Sequence, residues 1–206
     1  MPRQADPHTV LDPVSLAAEL SAAPPSCGPV RLVAVDGHAG SGKTTFAGVL
    51  SARLGAAPVL HLDDFATHAS FFGWAARFAE QVLTPFAEGR PARYVRYDWA
   101  QGRFPSSPDA AGAAPAAPVV LIEGVGAGRC ELRPHLAGLL WMDVAPEEAW
   151  GRGRRRDGTD LSGFWDEWTR AETTHFAEDP SYSYANYVVC RGAQGYEVRR
   201  GPAGQR

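Results

Sequence analysis

One stretch of eight residues, Gly37-His38-Ala39-Gly40-Ser41-Gly42-Lys43-Thr44, has the residue types and spacing best suited to chemistry. It matches G-x-x-x-x-G-K-[ST], the pattern of a phosphate-binding loop. Glycines allow backbone angles that turn successive N–H groups inward, and such a loop ends at a helix N-terminus. Amide donors and roughly half a positive charge from the helix dipole then face one point, which suits a polyphosphate. The run from Gly37 through Thr45 is therefore expected to bind nucleotide. Lys43 would reach the β- and γ-phosphates, and the Thr44 hydroxyl would ligate Mg²⁺. The chain contains nineteen arginines and a single lysine, Lys43. A compact ammonium suits a crowded anion better than a planar guanidinium does. His38, inside the loop, reads as a packing or solvated residue.

Acidic residues recur where short apolar runs end: Asp63 and Asp64, Glu123, and Asp143. Phosphoryl transfer needs a phosphate cradle, a metal, a carboxylate for the attacking hydroxyl, and cations for the transferring charge. Asp63 is the candidate base, and Glu123 can hold Mg²⁺ directly or through water. Either member of the Asp63/Asp64 pair could instead cap a following helix. The cationic part is Arg152-Gly153-Arg154-Arg155-Arg156-Asp157. Such a run on a helix can be a solvated face. Downstream of a phosphate loop it could also close over a triphosphate as a lid and exclude water.

These residues need elements to position them. Val30, Leu32, Val33 and Val35 form an apolar run that reads as a buried strand leading into the loop. The following helix is expected to reach about Leu54, with Gly55 as its stop. Asp12 caps a short helix that Pro13 opens, and residues 23–29 link it to the first strand. Further strands are expected at Pro58–Leu62, Pro118–Ile122, Leu139–Val144 and Tyr187–Cys190. Helical patterns cover Gly73–Glu88, despite Pro85, then Pro146–Arg156 and Leu161–Phe176. Tyr94–Trp99 reads as extended, and Pro105–Pro118 as a mobile loop without chemistry. Alternating strands and helices predict an α/β fold: a three-layer, mostly parallel five-stranded sheet with helices on both faces. Ligands in such sheets bind beyond the carboxyl ends of the strands.

The 206 residues suit one domain, with 45% hydrophobic and 21% charged residues. Expected boundaries are an arm and short helix over 1–28, a main domain over 29–192, and a flexible tail over 193–206. A net charge of −3 gives no pull towards nucleic acid or an anionic membrane. Cys27, Cys130 and Cys190 show no C-x-x-C spacing and read as reduced thiols. No run approaches a membrane span and the N-terminus lacks a signal-like apolar core, so a cytoplasmic location is expected. Trp141 and Trp150 read as core. Trp74, Trp99, Trp165 and Trp168 also read as core, although any could wall a cleft for a flat ring.

With these residues assembled, the chain resembles the uridine kinase family of P-loop kinases, whose relatives include phosphoribulokinase and bacterial pantothenate kinase. Beyond the loop, Asp63-Asp64-Phe65 is similar to the family's Asp-x-Phe, whose first Asp is the catalytic base. Leu121-Ile122-Glu123-Gly124 is similar to its Phe-Glu-Gly, whose Glu serves the metal. Tyr97-Asp98-Trp99 resembles its Tyr-Asp-Phe, whose Tyr lies against the substrate. Arg152 and Arg156-Asp157 are similar to its lid arginines, giving an expected small helical lid at about 150–160. Tyr184-Ala185-Asn186-Tyr187-Val188-Val189 resembles its last strand, near the adenine. The ordered matches run from about residue 30 to 192. Two departures concern the acceptor: Ala100-Gln101-Gly102-Arg103 follows Trp99 without the histidine of uridine–cytidine kinases, and no residue clearly replaces the acidic reader of ribose hydroxyls. The lid also departs, with Ala149 and Gly153 where arginines stand in the family.

The resemblance implies an ATP- and Mg²⁺-dependent kinase of a small hydroxyl acceptor, nucleoside-like as a first guess. Asp63, Lys43, Arg152 and Arg156 would be catalytic, Thr44 and Glu123 would hold metal, and Asp64, Tyr97, Asp98 and Arg103 would meet substrate. Alternatives are a kinase of a pantothenate-like or sugar-phosphate acceptor, or a nucleotide-binding regulatory protein with no acceptor. A GTPase is disfavoured because the guanine-reading Asn-Lys-x-Asp is absent. A motor-type ATPase is disfavoured because Glu123 is followed by Gly124 rather than paired with a second acid.

Overall fold

A computed structural model describes residues 10–107, 111–193 and 195–204. Residues 1–9 of the expected arm and 205–206 of the expected tail lie outside the described residues. Helix α1 (Pro13–Ala22) begins where Asp12 Oδ1 accepts from the Val14 and Ser15 amides at 2.7 and 2.9 Å. Those backbone bonds, the leading cause, hold the Asp12 carboxyl below its ordinary pKa. Strand β1 (Arg31–Asp36) is buried along almost its whole length and leads into the loop. Helix α2 (Lys43–Arg53) follows the loop, and β2 (Val59–His61) comes next.

The helical pattern expected over Gly73–Glu88 is a broken helix. Helix α3 (Ala75–Phe78) passes through a π-helical turn at Ala79–Leu83 into α4 (Thr84–Ala87). Pro85 cannot donate an amide hydrogen, and it sits in the first turn of α4, where no donor is required. Strand β3 (Ala92–Val95) then pairs antiparallel with β4 (Ala111–Ala114) as a small separate sheet. That strand corrects the expectation of a loop throughout Pro105–Pro118. The small residues serve packing: a Cβ on Gly112 would lie 2.3 Å from the Tyr94 ring.

The rest of the chain supplies β5 (Val119–Glu123), β6 (Leu136–Met142), α5 (Pro146–Asp157), α6 (Ser162–Glu178), β7 (Tyr187–Gly192) and β8 (Gly195–Arg200). The main sheet has six strands in the order β2-β5-β1-β6-β7-β8. The first five run parallel, and β8 is antiparallel to β7. Five parallel strands match expectation, whereas the sixth was read as tail. Its basis is alternation, with Tyr196 and Val198 between Glu197 and Arg199, and a glycine at each end of the turn, Gly192 and Gly195. Val198 is buried and bridges Leu11, and Glu19 bonds both Tyr187 and Arg200 at 2.8 and 2.7 Å.

The sheet separates two cores. Val33, Val35 and Leu121 face Leu16, Leu20, Phe46 and Leu50 of α1 and α2. Leu32, Ala34, Val120 and Ile122 face Phe65, Trp74, Phe78, Val82 and Phe86. Period-two alternation along buried strands thus fills both faces, as a parallel sheet covered on both sides requires. Each fully buried Leu or Phe contributes about 1.5–3 kcal/mol, so the frame beneath the loop is rigid. The central strand β1 lies between β5 and β6, and the loops following it and β5 open on the same edge of the sheet. That edge is the expected ligand crevice. Among the described residues no helix is long and apolar enough to cross a membrane.

Candidate active site

The loop after β1 is held from below by Asp36. This fully buried carboxylate accepts from the amides of Gly37, Gly126 and Gly128 at 2.7, 2.9 and 2.8 Å. It ties the phosphate loop to the segment that follows β5. Gly42 adopts φ +95° at the N-cap of α2, with no side-chain cap and open space where a Cβ would be. The first-turn amides of α2 have no intrahelical acceptor. Gly40 has φ +84°, and a Cβ there would lie 2.1 Å from the Ala149 carbonyl oxygen of α5. Only glycine permits both that backbone and so close a helix.

Lys43 is buried, and its Nζ donates to the Gly37 and His38 carbonyls, each at 2.9 Å. The lone ammonium therefore belongs to the loop itself. Ser41 Oγ is buried in the same loop with no hydrogen-bond partner in the protein. Thr44 Oγ1 donates to Glu123 Oε1 at 3.0 Å, so the expected metal residues do meet. Two neighbouring hard oxygen donors, one of them anionic, fit Mg²⁺.

His61, at the end of β2, is a participant that sequence reasoning missed. Its Nδ1 lies 2.5 Å from Glu123 Oε1. Burial pushes the Glu123 pKa up, but the His61 bond, the Lys43 charge and the Thr44 bond outweigh it and leave it lowered. The same bond raises the His61 pKa against burial, helped by the charges of Asp64 and Asp63. Glu123 is thus held towards its anionic form by the Thr44 hydroxyl, the His61 imidazole and the charge of the loop lysine.

Asp63 follows in a single 3₁₀ turn, Leu62–Asp64. It faces the water of a cleft yet is ringed by protein atoms. That enclosure, the leading cause, and the nearby Glu123 charge raise its pKa, against Lys43 and His61. The Trp99 indole N–H donates to the Asp63 carbonyl at 3.0 Å and fixes its backbone. The cleft measures about 570 Å³. Lys43, Thr44, Thr45, Asp63, Glu123 and Arg156 line its polar end.

The other end is aromatic: Trp99, Phe164, Trp165 and Trp168, with Leu161 and His68. Phe164 and Trp168 stack at 5.9 Å, and Trp99 meets Phe164 edge-on at 6.0 Å. Trp99, Trp165 and Trp168 accordingly wall the cleft, while Trp74 is core. Trp165 and Trp168 are also buried, so packing and lining are one role there.

Several expected residues stand elsewhere. Arg152 bonds Glu148 one turn back on α5 at 2.5 Å and does not line the cleft. Arg156, in the last turn, reaches the rim while bonded to Asp157 at 2.6 Å. Asp64 pairs with Arg96 at 3.7 Å outside the cleft. Asp98 Oδ1 accepts from the Ala100 and Gln101 amides, and Arg103 bonds Gln101, so both shape a turn. Tyr97 is buried one layer back, with its hydroxyl 2.9 Å from His68 Nδ1. A histidine does reach the cleft, but from the segment after Asp63 rather than after Trp99. Of the loop, Gly37, His38 and Ser41 lie beneath the cleft surface; His38 packs edge-on against Trp141, Trp150 and Phe176.

Both lid departures fall at packed positions, and Ala149 is fully buried. The Ala149 carbonyl rests on Gly40, and a Cβ on Gly153 would lie 2.1 Å from the Trp165 ring. An arginine at Gly153 would displace that ring. Helix α5 is therefore seated directly on the loop and on α6.

A parallel sheet of this order, a glycine-rich loop opening α2 and acids at neighbouring strand ends define a three-layer P-loop NTPase fold. Among solved structures, the chain is similar to a possible uridine kinase from Bacillus stearothermophilus, with TM-score 0.61 and 19% identity over 86% of this chain and 97% of that one. It is similar to a fructose transport system kinase from a Silicibacter species, with TM-score 0.62 and 19% identity over 80% of this chain and 95% of that one. At such identity the likeness is one of fold. No protein-family model and no curated protein matches the chain.

Proposed function

We propose that this protein is a small-molecule kinase that moves the γ-phosphate of ATP to a hydroxyl of a nucleoside-like acceptor. The observation that carries the reading is one cleft in which Lys43, the Thr44–Glu123 pair and Asp63 surround a space continuous with an aromatic chamber. The loop amides and Lys43 would hold the phosphates, and Arg156 would meet the charge of the transferring group. Mg²⁺, held by Thr44 and Glu123, would neutralise charge on the phosphate oxygens. Asp63 would orient the acceptor hydroxyl and take its proton, a task helped by a raised pKa.

The chamber favours a ring-bearing, uncharged acceptor over the alternatives. Two polar side chains lie among its aromatic walls: His68, and Asp157, whose Oδ2 accepts from the Trp165 indole at 3.2 Å. Arg103, expected to meet substrate, bonds Gln101 instead. Arg156, an arginine that does line the cleft, is paired with Asp157, whereas a flat ring would stack on Trp or Phe for about 1–3 kcal/mol. A panel of nucleosides, ring-bearing alcohols, pantothenate-like acids and sugar phosphates, assayed for ADP release, tests this. Acceleration by ring-bearing neutral alcohols is expected. Acceleration by acidic acceptors alone would overturn the acceptor class, and ATP turnover indifferent to every compound would favour a regulatory nucleotide-binding protein.

A further inference from the structure

Glu172, on α6, is fully buried and takes no part in the chemistry proposed above. A carboxylate has about four acceptor sites, and removing one from water without partners is very costly. Here each oxygen has two donors. Oε1 accepts from His38 Nδ1 at 2.7 Å and the Trp150 indole at 2.9 Å. Oε2 accepts from the Ala39 amide at 3.1 Å and the Trp168 indole at 2.7 Å.

Those donors come from three separate places. His38 and Ala39 belong to the phosphate loop, Trp150 to α5, and Trp168 to α6. Ala39 and Trp168 both line the cleft, and Ala39 packs against the cluster of Val125, Trp165 and Trp168. Trp150 follows Ala149, whose carbonyl rests on Gly40 of the loop. One anion thus touches the nucleotide end, the lid helix and the acceptor end. None of these elements can shift without leaving a buried donor or a buried charge unpaired.

We propose that Glu172 is a positioning residue that fixes the shape of the phosphate loop and couples it to the aromatic chamber. A ring settling against Trp168 orders the indole that Glu172 holds, and that order passes to Ala39. Linkage makes the coupling reciprocal: nucleotide on the loop also prepares the chamber. The inference rests on the kinase reading only in taking the loop to bind ATP.

The test is a double-mutant cycle on ATP affinity, measured by calorimetry with Glu172→Gln, Trp168→Phe and the pair. Phenylalanine keeps an aromatic ring and deletes the N–H; glutamine cannot accept from all four donors. Each single change is expected to weaken ATP by ~5–20-fold, within the span of typical coupling energies. In the Glu172→Gln background, Trp168→Phe should then add less than ~2-fold. Additive effects, or wild-type ATP affinity in either folded single variant, would overturn the clamp while leaving the kinase reading intact. If Glu172→Gln does not fold, Trp168→Phe decides alone, with wild-type affinity as the overturning result. A wild-type chain that binds no ATP, like a Lys43→Ala control, would overturn both readings.

Discussion

Thr44 Oγ1 lies 3.0 Å from Glu123 Oε1, joining the first turn of α2 to the end of a strand far along the chain. The pairing exists because β1 and β5 are hydrogen-bonded neighbours in register, with Val35 beside Glu123. A loop leaving one strand and an acid ending the next must therefore share a crevice. Glu123→Gln keeps the shape and removes the charge that a divalent cation needs. Turnover is expected to fall by ~10²-fold or more, as for loss of a preorganised electrostatic group. The Mg²⁺ concentration for half-maximal ADP release should rise at the same time. An unchanged magnesium titration would remove Glu123 from the metal.

Asp63 makes a prediction about pH. The ionised carboxylate is the form that accepts a proton, and its pKa is raised above the ordinary 3.8 by the surrounding protein atoms of the cleft and by Glu123. Turnover should accordingly be lost on acidification at a higher pH than an unperturbed aspartate would give. Asp63→Asn should lower turnover by ~10²–10⁴-fold while leaving ATP affinity nearly unchanged. Stability has the opposite sign. A group whose folded pKa is raised favours the native state below its unfolded pKa and loses that contribution as pH climbs through the folded value. Asp63→Asn should therefore melt slightly above wild type at neutral pH, and the gap should close below about pH 4. Thermal unfolding across pH checks this, and a variant less stable than wild type at neutral pH would contradict it.

Helix α5 distinguishes two of its residues sharply. Gly153→Arg restores the arginine of the resembled family but drives a side chain into Trp165. Overpacking of this kind costs about 1–3 kcal/mol. For a chain of this size each kcal/mol lowers Tm by about 2–4 °C. Arg152→Ala removes only a pair with Glu148 at the surface, worth about 0–1 kcal/mol, and should change turnover less than ~3-fold. Arg156→Ala, at the cleft rim, should lower turnover ~10-fold or more. Equal losses at both arginines would contradict this distinction.

Local chemistry made much of this legible in advance. The loop, the Asp12 cap, the parallel order and the strand-end acids each follow from residue type and short-range spacing. Boundaries were less legible where the cause lay elsewhere: the π turn ahead of Pro85, and β4, whose alanines and glycine make room for Tyr94. Glu172 left a readable trace, since Trp165, Trp168, Glu172 and His175 form one buried stripe of α6 at helical spacing. An acid on such a stripe signals a buried anion in need of donors.

By itself, then, the order of residues determined a glycine-rich cradle with its only ammonium, and the acids that end neighbouring strands. Those depend on backbone rules and side-chain chemistry within a few residues of each other. Tertiary structure alone decided which arginine reaches the cleft, which histidine meets Glu123, and that Glu172 joins the loop to α5. Each of those outcomes is a contact between elements distant in sequence, set by how β1, β5 and α6 pack, and spacing along the chain carries no such information.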